Sequence, residues 1–402
     1  MSDDSSRTTE KALKINLDPT IYGTIVEIGA GQEVARNFFQ AGAAAGTVAK
    51  TMSAYDMKFS DEIYGTAPGG RYVSRARLER MLEVEYDLVI SRIQDQRPAD
   101  TRFFAFADTV AAQGFKKRSE CHGWVGVRLQ LKPKGPPDNI VVHVRMLDDT
   151  NLEQQEALGI IGVNLIYGAF HHAETPEKLL VGLMDNLRRG RVEIDLVEFS
   201  GPNLGTIDNR LMALELVKAS LTRAVLFDPD GKVVIPADVL YKRRVLAMRG
   251  PFLTVEQNDI DRFAHAKARF NERTAASSAE ILSLAELTMA QVDSNQRVDT
   301  NDFLERVNRF SDSGLYVLIS EFFRYFRLRQ YLVRHSREPT AFVTDLEGLG
   351  DMFCESYYDN IPGGVLEGLG QLFTTDTVAY IYPQGMPVGS VGLDDLPVED
   401  NL

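Results

Sequence analysis

The sequence predicts an α/β fold, a mixed β-sheet flanked by helices with a helix-rich C-terminal region, and three observations carry that expectation. A β-branched run from Ile25 to Ile28 reaches a glycine-spaced turn at Gly29 and Gly31, then opens into the helical pattern Val34, Ala35, Phe38, Phe39. Strand-like and helix-like segments alternate after it. Two arms of alternating polarity, Trp124–Leu131 and Ile140–Leu147, flank the turn-rich Lys132–Asn139 as a hairpin with one covered face.

Taken in order, residues 21–28 read as a strand and 32–41 as a helix, a Rossmann-like strand–turn–helix. Residues 47–54 read as the next strand, with Val48, Met52 and Ala54 among small or β-tolerant residues. A long helix fits 74–96, capped by Ser74, with Leu78, Met81, Leu82, Leu88 and Val89 on one face. Residues 102–110 are extended and lead to the hairpin. Helices follow at 151–170 and 176–189, a strand at 191–199 and a helix at 208–220. Ala224–Pro236 reads as a strand, a tight Asp228-Pro-Asp-Gly231 turn and a returning strand. Beyond it, helical patterns occupy 254–273, 278–292, 300–310 and 320–335, with strand-like pieces at 314–319, 340–344 and 377–382. The organisation expected is a flexible N-terminus (1–12), an α/β domain (13–250), a helix-rich α/β region (251–383) and an acidic flexible tail (384–402).

Composition narrows the function classes. The chain has 402 residues, 44% hydrophobic and 25% charged, as in globular proteins. No apolar run approaches the roughly 18–20 residues that cross a bilayer, and the first ten residues lack a signal peptide's apolar core. A cytoplasmic location without a membrane partner is therefore expected. Cys121 and Cys354, the only cysteines, exclude a disulfide framework and a four-cysteine zinc site. A formal charge of −13 argues against a nucleic-acid partner, because most of the surface repels a phosphate backbone.

The glycine turn is the first place to look for chemistry, since a strand–turn–helix presents backbone N–H groups where a helix begins. In a dinucleotide fingerprint a third glycine lets the helix pack closely, and Val34 occupies that place here. Glu27-Ile-Gly-Ala-Gly31 resembles the opening motif of S-adenosylmethionine methyltransferases, with Glu33 where their last glycine falls. In that pattern an acidic residue after the next strand holds the ribose hydroxyls, and Asp56 stands there. Glu27, Gly29, Gly31 and Asp56 are thus the candidate cofactor-binding residues; a glycine turn without any ligand is the plain alternative.

Other constellations weigh less. His171 and His172 with Glu174 suggest a metal, but adjacent helical side chains diverge by about 100°, and a helix C-terminus favours histidine anyway. No metal site is expected. Cys121 and His122 point to opposite faces of an extended segment and cannot activate each other. Phe322, Phe326 and Val333 fall on one side of a helix and Arg324, Arg327, Arg334 and His335 on the other. That basic face suits an anion or, with its aromatic side, a subunit interface in a homo-oligomer. Asp228-Pro-Asp-Gly-Lys232 lacks the ordered ligand series of a calcium loop and reads as a turn.

The run Leu13-Lys-Ile-Asn-Leu-Asp-Pro-Thr-Ile-Tyr-Gly-Thr-Ile-Val-Glu-Ile-Gly-Ala-Gly-Gln-Glu-Val-Ala-Arg36, with Thr51-Met-Ser-Ala-Tyr-Asp56 and Asp61-Glu-Ile-Tyr-Gly65, resembles a widespread, largely uncharacterised bacterial family of about this length. Members often carry the label nicotinamide or nicotinate mononucleotide adenylyltransferase. The resemblance implies nucleotide handling. The His-x-Gly-His element of adenylyl transfer does not occur in this chain, and Ile319-Ser-Glu-Phe-Phe-Arg324 only loosely echoes its phosphate clamp. Three functional expectations stand: a nucleotide-handling protein with a nucleotide-type small molecule at the glycine turn, a self-associating structural or regulatory protein, and an S-adenosylmethionine-dependent methyltransferase. Cofactor, substrate and catalytic residues are not fixed by the sequence.

Overall fold

The computed structural model describes residues 7–114, 120–250, 252, 257–275, 279–289, 300–359 and 361–382. The chain divides into two compact units, residues 1–222 and 223–402.

The first unit opens with helix α1 (Thr8–Leu17), which begins within the stretch to residue 12 expected to be flexible and runs past it. Lys11 is the reason. Its ammonium is buried and bonds Asp185 Oδ2 at 2.6 Å and Asn164 Oδ1 at 2.9 Å, so a residue that reads as solvent-facing anchors the helix. Strand β1 (Ile21–Ile28), helix α2 (Gln32–Ala41) and strand β2 (Val48–Ser53) form a parallel βαβ unit. Helices α3 (Met57–Tyr64) and α4 (Arg75–Ile93) then carry the chain to β3 (Arg102–Ala111), parallel to the other edge of β1. Strands β4 (Cys121–Leu129), β5 (Asp138–Met146) and β6 (Val192–Ser200) continue as an antiparallel meander. Helices α5 (Asn151–His171) and α6 (Pro176–Gly182) lie between β5 and β6, and α7 (Asn209–Lys218) follows β6. The sheet order is β2-β1-β3-β4-β5-β6.

Strand alternation separates two faces. Ile25, Phe106, Val125, Val142 and Phe199 form one core with Val34 and Phe38 of α2 and Leu158 and Ile161 of α5. The opposite face meets α4, whose Tyr86 and Val89 pack on Phe103 and Ala105. Buried apolar side chains of this kind each contribute about 1.5–3 kcal/mol. A Cβ at Gly162 would lie 2.4 Å from Val34, so this glycine of α5 lets that helix pack closely on α2.

The second unit begins with β7 (Ala224–Phe227), a turn and β8 (Val233–Val234). Asp228 closes that turn by accepting from Asp230 and Lys232 N–H groups, as expected of a turn. Helix α8 (Pro236–Leu240), β9 (Arg244–Arg249), α9 (Gln257–Arg273), β10 (Ile281–Thr288), α10 (Thr300–Asp312) and β11 (Tyr316–Ser320) follow. After them come α11 (Tyr325–His335), β12 (Thr340–Thr344), α12 (Leu346–Phe353), α13 (Gly364–Leu372) and β13 (Thr377–Ile381). Their sheet runs β13-β12-β9-β10-β11-β7-β8, with the five strands from β13 to β11 mutually parallel. Chain order runs outward from β9 in both directions, the mark of a doubly wound sheet.

The sequence reading needs three corrections here. The division falls at 222/223 rather than 250/251, because β7 bonds β11 in the second sheet. Residues 281–288 are a strand, not part of a helix over 278–292; buried on both faces, the strand shows no alternation, and its Leu, Ala and Glu mimic a helix. Val333 is 39% exposed and does not share the buried side of Phe322 and Phe326. The acidic tail, 384–402, lies outside the described residues. Among the described residues no helix is long and apolar enough to cross a membrane.

Candidate functional site

β1 lies between β2 and β3, and the connections leaving β1 and β2 run in opposite directions along the sheet. Its carboxyl end is therefore a topological switch point, where open α/β sheets leave a crevice. Gly29 follows β1 with φ +112°, and a Cβ there would sit 2.1 Å from the Val110 carbonyl oxygen. Only glycine fits. Gly31 caps α2, and a Cβ there would lie 1.8 Å from Asp108 Oδ2. Both glycines thus admit β3 to the turn. The Gly31 N–H, which the sequence reading offered to a ligand, donates to Glu27 Oε2 at 3.3 Å.

Glu27 and Asp108 are register partners on adjacent parallel strands, so their side chains emerge on one face. Glu27 is 3% exposed and Asp108 is fully buried. Burial, and then the neighbouring Glu27 carboxylate, push the Asp108 carboxyl well above its ordinary range. Burial also raises Glu27, opposed by Ser53, the Gly31 N–H and Gln32 beside it. Neither Asp108 oxygen accepts a hydrogen bond, nor does Glu27 Oε1.

A cleft of about 250 Å³ opens between β1, α2 and β2. Glu27, Gln32, Ser53 and Arg36 supply its polar wall, and Ile25, Phe39 and Met52 its apolar one. Gln32 Oε1 is a second buried acceptor without a partner. Its amide donates to the Tyr55 hydroxyl at 2.7 Å, which in turn donates to Gly29 O at 2.6 Å, so Tyr55 locks the turn and the glutamine together. The cleft therefore offers acceptors and a carboxylate, and suits a ligand rich in hydrogen-bond donors.

The structure brings Glu27, Gly29 and Gly31 together. Asp56 lies three residues beyond β2, where its carboxylate caps α3 by accepting from Phe59 N at 2.8 Å. Asp108, Gln32 and Ser53 join the site without having been expected. For Asp108 a signal existed: a single acid within Phe103-Phe-Ala-Phe-Ala-Asp-Thr-Val110, an otherwise apolar strand.

In the second unit Arg324 precedes α11 and lies over the Tyr357 ring at 5.9 Å, Arg327 is exposed over Phe326, and Arg334 is exposed. The helix is amphipathic, with Phe326, Leu328 and Leu332 in the core. His171 ends α5 stacked on Tyr167, with His172 as the C-cap. Among the described residues no three His, Cys, Asp or Glu side chains are grouped to hold a metal ion. Cys121 is in the core while His122 bonds a residue of the other face, so the two do not meet.

No family model and no curated protein matches the chain. Among solved structures, a competence/damage-inducible protein from Agrobacterium tumefaciens is 18% identical, covering 41% of this chain and 97% of that one, with a TM-score of 0.28. Competence damage-inducible protein A from Klebsiella pneumoniae is 10% identical over 42% of this chain and 99% of its own, with a TM-score of 0.31. A Haemonchus contortus phosphoethanolamine N-methyltransferase covers 93% of this chain and 78% of its own at 10% identity and a TM-score of 0.19. Likenesses this weak carry no functional inference, and the site has to be read from its own chemistry.

Proposed function

We propose that the first unit binds a nucleoside-type ligand in the cleft beside Glu27. The ribose hydroxyls donate to Glu27 Oε1 and Gln32 Oε1, and the base lies against Ile25, Phe39 and Met52. The observation that carries this reading is the pair of buried, unpartnered acceptors in the wall of the cleft between β1, α2 and β2. An unsatisfied buried acceptor costs about 1–3 kcal/mol, which a donor-bearing ligand recovers on binding. The cleft is smaller than the roughly 300–1,000 Å³ of drug-sized pockets, which suits a single nucleoside better than a dinucleotide. A phosphate at Gly31 is disfavoured, because its N–H already donates to Glu27 and two carboxyl groups flank it.

Glu27→Gln tests the reading, since the shape is kept and the charge removed. Hydrogen bonds to charged groups are worth about 1.5–3 kcal/mol, so ribonucleoside affinity is expected to fall about tenfold or more in titration calorimetry. Unchanged affinity in the variant contradicts the role given to Glu27.

A further inference from the structure

Helix α9 and the edge strand β13 of the second unit bring arginines and tyrosine hydroxyls onto one surface. His265, Arg269 and Arg273 recur every fourth residue of α9 and so share one stripe of the helix. Tyr380 and Tyr382 lie on one face of the β13 course, which Tyr382 continues by donating its N–H to Thr344 O at 2.8 Å. The two sets meet where the Tyr382 hydroxyl lies 2.8 Å from His265 Nδ1, the rings edge to face. Thr377, of the opposite alternation, accepts from Arg329 of α11, so each face of the strand has its own helix. The Tyr380 hydroxyl is buried and has no hydrogen-bond partner. Burial pushes it above its ordinary value, opposed first by Arg273 and then by Arg269, so both guanidinium groups stand beside it. Glu272 of the same helix raises it too, but more weakly than the arginines act. Burial, and then the Tyr380 hydroxyl, push Tyr382 up as well, so the two hydroxyls are neighbours. Arg269 and Arg273 are exposed, and among the described residues neither is paired with a carboxylate. Partners are not lacking, since acidic residues outnumber Lys and Arg by 57 to 44.

We propose that Arg269, Arg273 and the Tyr380 hydroxyl form a binding site for a phosphoryl group, independent of the cleft in the first unit. A guanidinium presents its N–H donors in a planar fork that matches two oxygens of a phosphate, and it stays charged at neutral pH. The phenol O–H is a donor for a further oxygen. Three donor groups call for three acceptor oxygens, which a phosphate monoester or free phosphate has and a carboxylate lacks. Tyr380 supplies what two solvated arginines do not. The strand holds its hydroxyl in place, and a bound oxyanion gives it the acceptor that the protein leaves out. The arginines of α11 are placed differently: Arg324 lies over the Tyr357 ring, and Arg327 donates to Gln330 and lies over Phe326.

Calorimetric titration of the full chain with inorganic phosphate, at constant ionic strength and with chloride as the control anion, tests the site. Arg269→Gln combined with Arg273→Gln is expected to weaken phosphate binding by about tenfold or more, the usual scale for losing charge-assisted hydrogen bonds. Tyr380→Phe keeps the ring and removes only the donor, and is expected to weaken binding by about fivefold. Because that hydroxyl has no partner in the protein, its removal costs the fold no hydrogen bond. Lys267 stands on the other side of α9, lining a groove with Ala264 and Ala268. Lys267→Gln therefore removes one charge away from the site and is expected to change binding by less than about twofold. Three results overturn the site: wild type that binds phosphate no better than chloride, Tyr380→Phe that binds as wild type does, or Lys267→Gln as weak as the arginine pair. Methyl phosphate separates the two sources of the phosphoryl group. Tighter binding than inorganic phosphate assigns the site to a phosphorylated small molecule, and equal or weaker binding assigns it to free phosphate.

Discussion

Glu286→Ala is expected to lower the stability of the second unit by about 3–5 kcal/mol, the usual cost of leaving one partner of a buried ion pair uncompensated. Glu286 lies at the end of the central strand β10 and is fully buried. Arg249, at the end of the adjacent β9, grips it with two bonds, Nε to Oε2 at 2.7 Å and Nη2 to Oε1 at 2.9 Å. Ser320 of β11 donates to the same carboxylate at 2.6 Å, and the guanidinium lies over the Tyr325 ring at 4.6 Å. Removing the carboxylate strands a cation in the core and deprives Ser320 of its acceptor. Replacing both partners together, Arg249→Met with Glu286→Leu, is expected to restore most of the loss, since apolar residues of similar volume need no pairing. Denaturant unfolding reads both. A loss below about 1 kcal/mol for the single variant, or a double variant weaker than the single, contradicts the account of this pair.

Asp108→Asn is expected to stabilise the first unit at neutral pH and to flatten its pH dependence. The folded-state pKa of Asp108 is raised above its ordinary value of 3.8, first by burial and then by Glu27. A carboxyl raised in this way contributes stability fully below the unfolded value and loses it as pH climbs through the folded value. Over that window stability falls by about 1.4 kcal/mol per pH unit for one group. Asparagine is neutral throughout, so the variant's advantage should grow with pH. Glu27 is raised as well, which leaves a smaller slope of the same sign in the variant. Melting temperatures of both proteins between about pH 5 and about pH 8 measure this. Parallel curves, or a variant that melts lower at the upper end, contradict a raised carboxyl at this position.

Local signals in the sequence specified the glycine turn, the hairpin and most helices, because glycine spacing, alternation and capping are written in neighbouring residues. What they did not show depends on pairing across long stretches of chain. β9 and β10 are central strands whose periodicity burial erases, and β7 gives no local sign that it bonds β11. The same holds at the sites. Glu27 was legible within its motif, whereas Asp108 enters through an 81-residue separation that only the β1–β3 register closes. His122 was read beside its chain neighbour Cys121, on the opposite face, and its true partner His143 stands on the next strand. The glycines themselves changed meaning: spacing suggested room for a ligand's phosphate, and the space is taken by Val110 and Asp108.

The most direct test of the account is a thermal-shift and calorimetric panel of the four ribonucleosides against their 2′,3′-dideoxy counterparts, run on the wild type and on Glu27→Gln. At least one ribonucleoside is expected to bind the wild type, with binding weakened about tenfold or more by loss of the ribose hydroxyls or of the Glu27 charge. If no ribonucleoside binds, or if dideoxy and ribo forms bind alike, the cleft beside Glu27 is not a nucleoside site.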